Sequence, residues 1–487
     1  MRRHVFAAVS CLTLVASTIV VTGCSGGSGV ALSSVAEKSS GPQGRRRPAG
    51  IGVIQHVVVI VQENRSVDDL FQQFNDVYPS AGLDTQSYGY NSKGHRVQLT
   101  PQSLDVPYDL SHQHALANNE PGGFVTEFND GAMNGWNLEQ IVCKLAPGCP
   151  GATAFGYVPK AEVVPYYQLA HSFAIADHVF QPNEGPSFPA HQYLIAGQSG
   201  GFSNRYAEAE NPVTVTGKGV DTGGCNVPGA FEATIDMQSA YPGTPGQRIF
   251  PCETYSSPST VLEELDAAYP DQKNWQYYTP SLDSIWSAPM GVSTIYNNAA
   301  EVAKVRVPES LILDAVKNGT LAKLSYVIPC FANSDHSSST SNTGPLWVAS
   351  VVNAIGESKY WDSTAILIVW DDWGGWFDHY TPEHPSYNPS DPYEYGFRVP
   401  MLVVSPYVKQ AGLVDHTVRN ATSILSFIER VFGLGSLNTL DQYSDDLTAA
   451  IFDFRRTPLS YTPVSTGSFD PTMCSSIHAL EDAPVDD

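Results

Sequence analysis

Three stretches of the chain are apolar at nearly every position: HVVVIV at 56–61, TAILIVW at 364–370 and VPMLVVS at 399–405. A strand with one wet face alternates polar and apolar residues, whereas a continuous β-branched run suits a strand covered on both faces. The pattern therefore predicts buried parallel strands at His56–Val61, Thr364–Trp370 and Val399–Ser405. Between them the apolar spacing turns helical. Ser257-Pro258 opens a run through Tyr269, with serine as N-cap and proline in the first turn. Pro345–Ile355 and His416–Phe432 carry the same spacing, and a helix is expected through His191, Tyr193, Leu194 and Ala196. Alternating strands and helices predict an α/β fold, a three-layer sandwich around a mostly parallel central sheet.

The first 50 residues do not fit this pattern. Arg2 and Arg3 precede an apolar run from Val5 to Val21, which closes on Thr22-Gly23-Cys24. That is the form of an export signal ending at a lipidated cysteine, so residues 1–23 are expected to be a lipoprotein signal peptide with lipid on Cys24. Residues 24–50, rich in Ser and Gly, read as a flexible tether. Residues 51–475 read as a catalytic domain, and 476–487 as an acidic tail. Six further cysteines (Cys143, Cys149, Cys225, Cys252, Cys330, Cys474) suit disulfides in an exported chain. Cys143–Cys149 and Cys225–Cys252 are the shortest closures, leaving Cys330–Cys474. The formal charge is −23, and loss of Arg2 and Arg3 with the signal takes it to −25, which disfavours nucleic acid as a partner.

Chemistry is expected where the strands end. Glu63 and Asn64 follow the first strand, and Asp371 and Asp372 follow the second; in open α/β sheets ligands bind at the carboxyl ends of strands. Three carboxylates and an amide brought together require a cation. Their oxygen donors favour one divalent ion of the calcium, magnesium or manganese kind over zinc. A third segment, Asn183-Glu-Gly-Pro-Ser187-Phe-Pro189, breaks the chain and enters a helix. Ser187 then sits at a helix N-terminus, where free N–H groups favour an anion, and is the candidate nucleophile. A serine there can equally be a plain helix cap.

Four segments resemble one known family. HVVVIVQENRSVDDLF (56–71), GPSFPAHQYLIAGQSG (185–200), YWDSTAILIVWDDWGGWFDHYTP (360–382) and RVPMLVVSPYVKQAGLVDHTVRNATSILSFIERVFGL (398–434) are similar, in order, to the bacterial phosphoesterase family of phospholipases C and secreted acid phosphatases. The resemblance implies an alkaline-phosphatase-like fold and a single-metal site of Glu63, Asn64, Ser187, Asp371 and Asp372. It also implies a phosphoserine intermediate on Ser187. His112 and His336 match family contexts and are expected to touch phosphate oxygens and protonate the leaving group; His379 is expected either to be a further contact or only to orient the Gly374-Gly375 turn. Arg65 is expected either to clamp phosphate or to pair with Asp68 or Asp69. Two departures weigh against a phospholipase: relatives of that type often have threonine in place of Ser187 and Asp-Glu in place of Asp371-Asp372.

The expected function is an exported, metal-dependent phosphoesterase of phospholipase C type, acting on a phosphoester small molecule or phospholipid headgroup. The alternatives are an acid phosphatase of the same family and a non-catalytic calcium-binding lipoprotein. A glycosidase fits poorly, because adjacent Asp371 and Asp372 are not placed across a glycosidic bond.

Overall fold

The computed structural model describes residues 47–476 except 117–119, 144–147, 340, 384–394 and much of 200–259, with 271–272. The expected signal, Cys24, nearly all of the tether and the acidic tail lie outside the described residues.

Eight strands form one sheet: β1 (His56–Gln62), β2 (Ala174–Ala176), β3 (Trp275–Tyr278), β4 (Val305–Arg306), β5 (Leu324–Val327), β6 (Thr364–Trp370), β7 (Met401–Val404) and β8 (Leu413–Asp415). Their spatial order is β4-β3-β5-β1-β6-β7-β2-β8. The central strand β1 runs parallel to both neighbours, with Val57 opposite Leu324 and His56 to Gln62 opposite Thr364 to Trp370. Val57 to Val61 and Ala365 to Trp370 are fully buried, as unbroken apolar runs require.

The helices that cover these strands form two groups. α1 (Val164–Ser172), α4 (Leu311–Lys317) and α5 (Gly344–Gly356) pack with α5 between its partners, while α2 (Ser187–Ala196), α3 (Val261–Ala268) and α6 (Ser423–Phe432) touch one another. With the sheet between them they make the expected three-layer sandwich. The disulfides are Cys143–Cys149, Cys225–Cys252 and Cys330–Cys474. Among the described residues no helix is long and apolar enough to cross a membrane.

Three local expectations need correction. β7 is antiparallel to both β6 and β2, not parallel. The chain leaves β6 at Trp370, and no helix lies among the described residues before β7 begins at Met401. Without a crossover it re-enters the sheet from the edge it left. The helix expected from His416 begins only at Ser423. Asn420 Oδ1 accepts from Thr422 N (2.8 Å), and Asp415 Oδ1 accepts from Thr417 N (3.3 Å). Short side chains that bond nearby backbone in this way favour turns over helix. α3 starts at Val261 and is capped by Thr260, whose Oγ1 accepts from Glu263 N at 3.3 Å, not by Ser257. Ser257 and Pro258 lie outside the described residues.

Candidate active site

At the end of β1 the backbone turns sharply: Asn64 has a left-handed φ of 62°, which asparagine tolerates better than most residues. That turn aims Asn64 N at Asp371 Oδ1 (3.1 Å), coupling the end of β1 to the end of β6. The second turn needs its glycines. Gly374 lies at φ +61°, and a Cβ there would sit 2.2 Å from Asn64 O. Gly374 N in turn donates to Asp372 Oδ1 (2.7 Å).

Ser187 is the first residue of α2, and no side-chain cap bond closes that helix. Its hydroxyl instead donates to Asp372 Oδ2 at 3.1 Å. The bland reading of Ser187 as a helix cap is therefore not what its hydroxyl does. One helical turn on, His191 Nε2 lies 2.9 Å from Glu63 Oε1 and 3.7 Å from Asp371 Oδ2. Glu63, Asn64, Ser187, His191, Asp371 and Asp372 are all at most 2% exposed. The structure thus brings together every residue expected to bind metal, and adds His191.

Two oxygens in this cluster, Asn64 Oδ1 and Asp371 Oδ2, are buried with no hydrogen bond. Orphaned acceptors of this kind are costly, and a cation between them removes the cost. Glu63, His191 and Asp371 offer ligand atoms within 4.8 Å of one another. The residues present therefore fit a divalent ion. With His191 the donor set is not all oxygen, so the expected bias away from zinc loses its basis.

His112 acts on the cluster through Asn64. Its Nδ1 lies 2.8 Å from Leu110 O and so carries the proton, which leaves Nε2 to accept from Asn64 Nδ2 at 3.0 Å. Asn64 Oδ1 is thereby turned away from the imidazole. His336 is fully buried, with Nδ1 bonded to Ser337 O and 3.9 Å from Asp109 Oδ2; the two rings lie 6.0 Å apart. His379 sits in another network: its Nδ1 is 2.6 Å from Asp68 Oδ2 and its Nε2 3.4 Å from Asp84 Oδ1. Burial opposes its charge, but bonding to Asp68 outweighs that and holds its pKa above the usual histidine value.

Arg65 is used up by the fold. Its guanidinium donates to Asp335 O, Asp69 Oδ1 and Leu104 O, at 2.8, 3.1 and 2.9 Å. Of the two roles expected for it, pairing with Asp69 is the one its contacts serve. Behind the cluster, Asp335 Oδ2 accepts from Tyr166 (2.6 Å) and Trp370 (3.2 Å), and burial pushes its carboxyl up to about 6. Trp373 donates to the buried Glu127 at 2.6 Å; desolvation, reinforced by nearby Glu139, keeps Glu127 well above the usual carboxyl range.

The chain matches the Phosphoesterase family over residues 54–435. It belongs to that family. Phospholipase C B of Mycobacterium tuberculosis is 25% identical over 460 residues, covering 84% of this chain and 80% of that protein. Non-hemolytic phospholipase C of Burkholderia pseudomallei is 28% identical over 426 residues, covering 80% of this chain and 56% of that protein. Non-specific phospholipase C1 of Arabidopsis thaliana is 22% identical over 415 residues, covering 79% and 68%. Among solved structures, an alkaline phosphatase superfamily protein from Vibrio parahaemolyticus aligns over 81% of this chain and 70% of its own at 10% identity and a TM-score of 0.35. The protein is accordingly a phosphoric ester hydrolase.

His191 is the member of the site that sequence reasoning passed over. Its signal was present: it lies four residues after Ser187 in one helix, and such residues share a face. The pattern of the segment marked His191 only as part of a buried helix.

Proposed function

We propose that this phosphoesterase cleaves phosphate esters by attack of the Ser187 hydroxyl on phosphorus, in the manner of a phospholipase C. The observation that carries the reading is the Ser187–Asp372 hydrogen bond of 3.1 Å at the start of a ten-residue helix, inside a cluster of buried carboxylates. Asp372 Oδ2 orients the hydroxyl and is placed to hold its proton as the oxygen attacks. The positive end of the α2 dipole, at Ser187, favours charge developing on the phosphoryl oxygens. A divalent ion held by Glu63, Asn64, Asp371, Asp372, His191 and the Ser187 oxygen would supply charge compensation and favour the serine alkoxide.

The histidines divide the remaining work. His112 holds the Asn64 amide so that its oxygen faces the cluster. His336, whose Nδ1 bonds Ser337 O, is assigned the exchange of a proton with the leaving group. His379 steadies the turn that carries Asp378. Collapse of the phosphoserine by water then regenerates Ser187.

The three disulfides and the leader ending at Cys24 support an exported protein anchored by lipid. The relatives' names support a diester of the phospholipid-headgroup kind, and the alternative is a monoester, as for an acid phosphatase. The deciding assay compares p-nitrophenyl phosphorylcholine with p-nitrophenyl phosphate, before and after chelation and with metals restored. Metal-restored preference for the choline ester supports the phospholipase reading. Preference for the monoester replaces it with the phosphatase, and full activity after exhaustive chelation contradicts the metal requirement.

A further inference from the structure

A second group of metal-ligand side chains lies away from Ser187, at the edge of the sheet. β2 and β8 are parallel neighbours, with Ala176 opposite Asp415. Each therefore delivers the residues after it to the same place: Asp177 and His178 from β2, His416 from β8. One ligand atom from each of Asp177, His178 and His416 lies within 4.8 Å of the other two. Asp84 flanks the group, its Oδ2 being 2.9 Å from His178 Nε2, while Asp177 Oδ1 is 2.9 Å from His416 Nδ1. Access is open on one side: His416 is 50% exposed and Asp84 38%, whereas Asp177 is fully buried.

Asp68, Asp84 and Asp378 lie about Arg398, which bonds Asp378 at 2.9 Å and reaches Asp84 Oδ2 at 3.7 Å, and His379 sits against Asp68 and Asp84. Nearby Asp415 is taken by Arg419 at 2.6 Å. Two imidazoles and a carboxylate within 4.8 Å of one another suit a borderline ion, for which bonds of about 2.0–2.2 Å set ligand atoms roughly 3.5 Å apart.

We propose that Asp177, His178 and His416, flanked by Asp84, form a second divalent-metal site that takes zinc or a similar transition ion and pins the β2–β8 edge. On binding, His178 Nε2 and His416 Nδ1 give their lone pairs to the ion and carry their protons on the other ring nitrogens. The site is independent of the catalytic one, since none of these residues belongs to the Ser187 cluster.

The test uses the full chain, stripped of metal by chelation, titrated with Zn²⁺ by calorimetry and with Co²⁺ by visible absorption. The wild type is expected to bind one more equivalent of each ion than His178→Ala/His416→Ala. Glu63→Gln/Asp371→Asn is expected to keep that equivalent, so failure of the catalytic-metal reading leaves this measurement intact. Equal stoichiometry and affinity in wild type and the histidine double variant overturn the proposal. If the double variant does not fold, His416→Gln at a half-exposed position decides. A tenfold or greater weakening of Zn²⁺ at this site supports it, and unchanged affinity overturns it.

Discussion

Two sets of buried carboxylates sit on the loops after β1 and β6, and they are neutralised differently. Asp378 is matched by Arg398, whose Nε and Nη2 donate to its two oxygens at 2.9 and 3.1 Å. Asp371 is equally buried, but it faces only the edge of the His191 imidazole, 3.7 Å from its Oδ2. That oxygen keeps no hydrogen bond. A carboxylate matched within the chain is finished structure. A buried carboxylate oxygen left without a hydrogen bond is prepared for a cation, and the nucleophile is placed beside it, on Asp372.

The largest expected effect breaks the Ser187 cluster at its reacting atom. Ser187→Ala should lower turnover at least about 10³-fold while leaving circular dichroism and metal content unchanged. Turnover within tenfold of wild type would remove Ser187 from the chemistry. The matched set should fail through stability instead. Asp378→Asn leaves Arg398 short of its partner and should cost about 3 kcal/mol in urea unfolding, since breaking a buried pair strands a charge.

The same change at Asp371 should act in the opposite sense. Asp371→Asn removes a buried charge whose Oδ2 has no hydrogen bond, so the metal-stripped protein should be as stable as wild type or more so, by about 1 kcal/mol. Metal affinity should fall about 10–100-fold by the same substitution. A destabilised metal-free Asp371→Asn protein would erase the contrast between the two sets.

A smaller effect concerns pH and a carboxyl on α6. Burial, with Asp441 nearby, pushes Glu429 up to about 10. The folded state therefore keeps a proton that the unfolded chain releases above about pH 4.5. Its contribution to stability is complete below that value and is lost as pH rises toward 10. Glu429→Gln should consequently lose less stability between pH 5 and pH 8 than wild type, by about 1 kcal/mol or more in paired urea titrations.

The contrast between the sets was partly legible in the sequence. Glu63, Asn64, Asp371 and Asp372 stood out because each pair ends an unbroken apolar run, and a polar residue there has only the sheet edge to occupy. The central strands were legible for the same reason. β2 and β4 were not, because Ala174–Ala176 and Val305–Arg306 are too short to carry a period. The direction of β7 was hidden too, since an apolar run says that a strand is buried but not from which edge the chain enters. His191 lies in a helix buried all round, so nothing in its local pattern distinguished a ligand from a packed side chain. The pairing of Asp378 with Arg398, twenty residues on, depends on the fold of the intervening loop.

The central claim is that Ser187 forms a covalent bond to phosphorus, and stereochemistry tests it most directly. A phosphate ester made chiral at phosphorus by oxygen isotopes would be turned over, and the configuration of the product read by phosphorus NMR. Two successive in-line displacements, first by Ser187 and then by the acceptor, predict net retention. Net inversion would mean a single direct attack by water and would contradict the account.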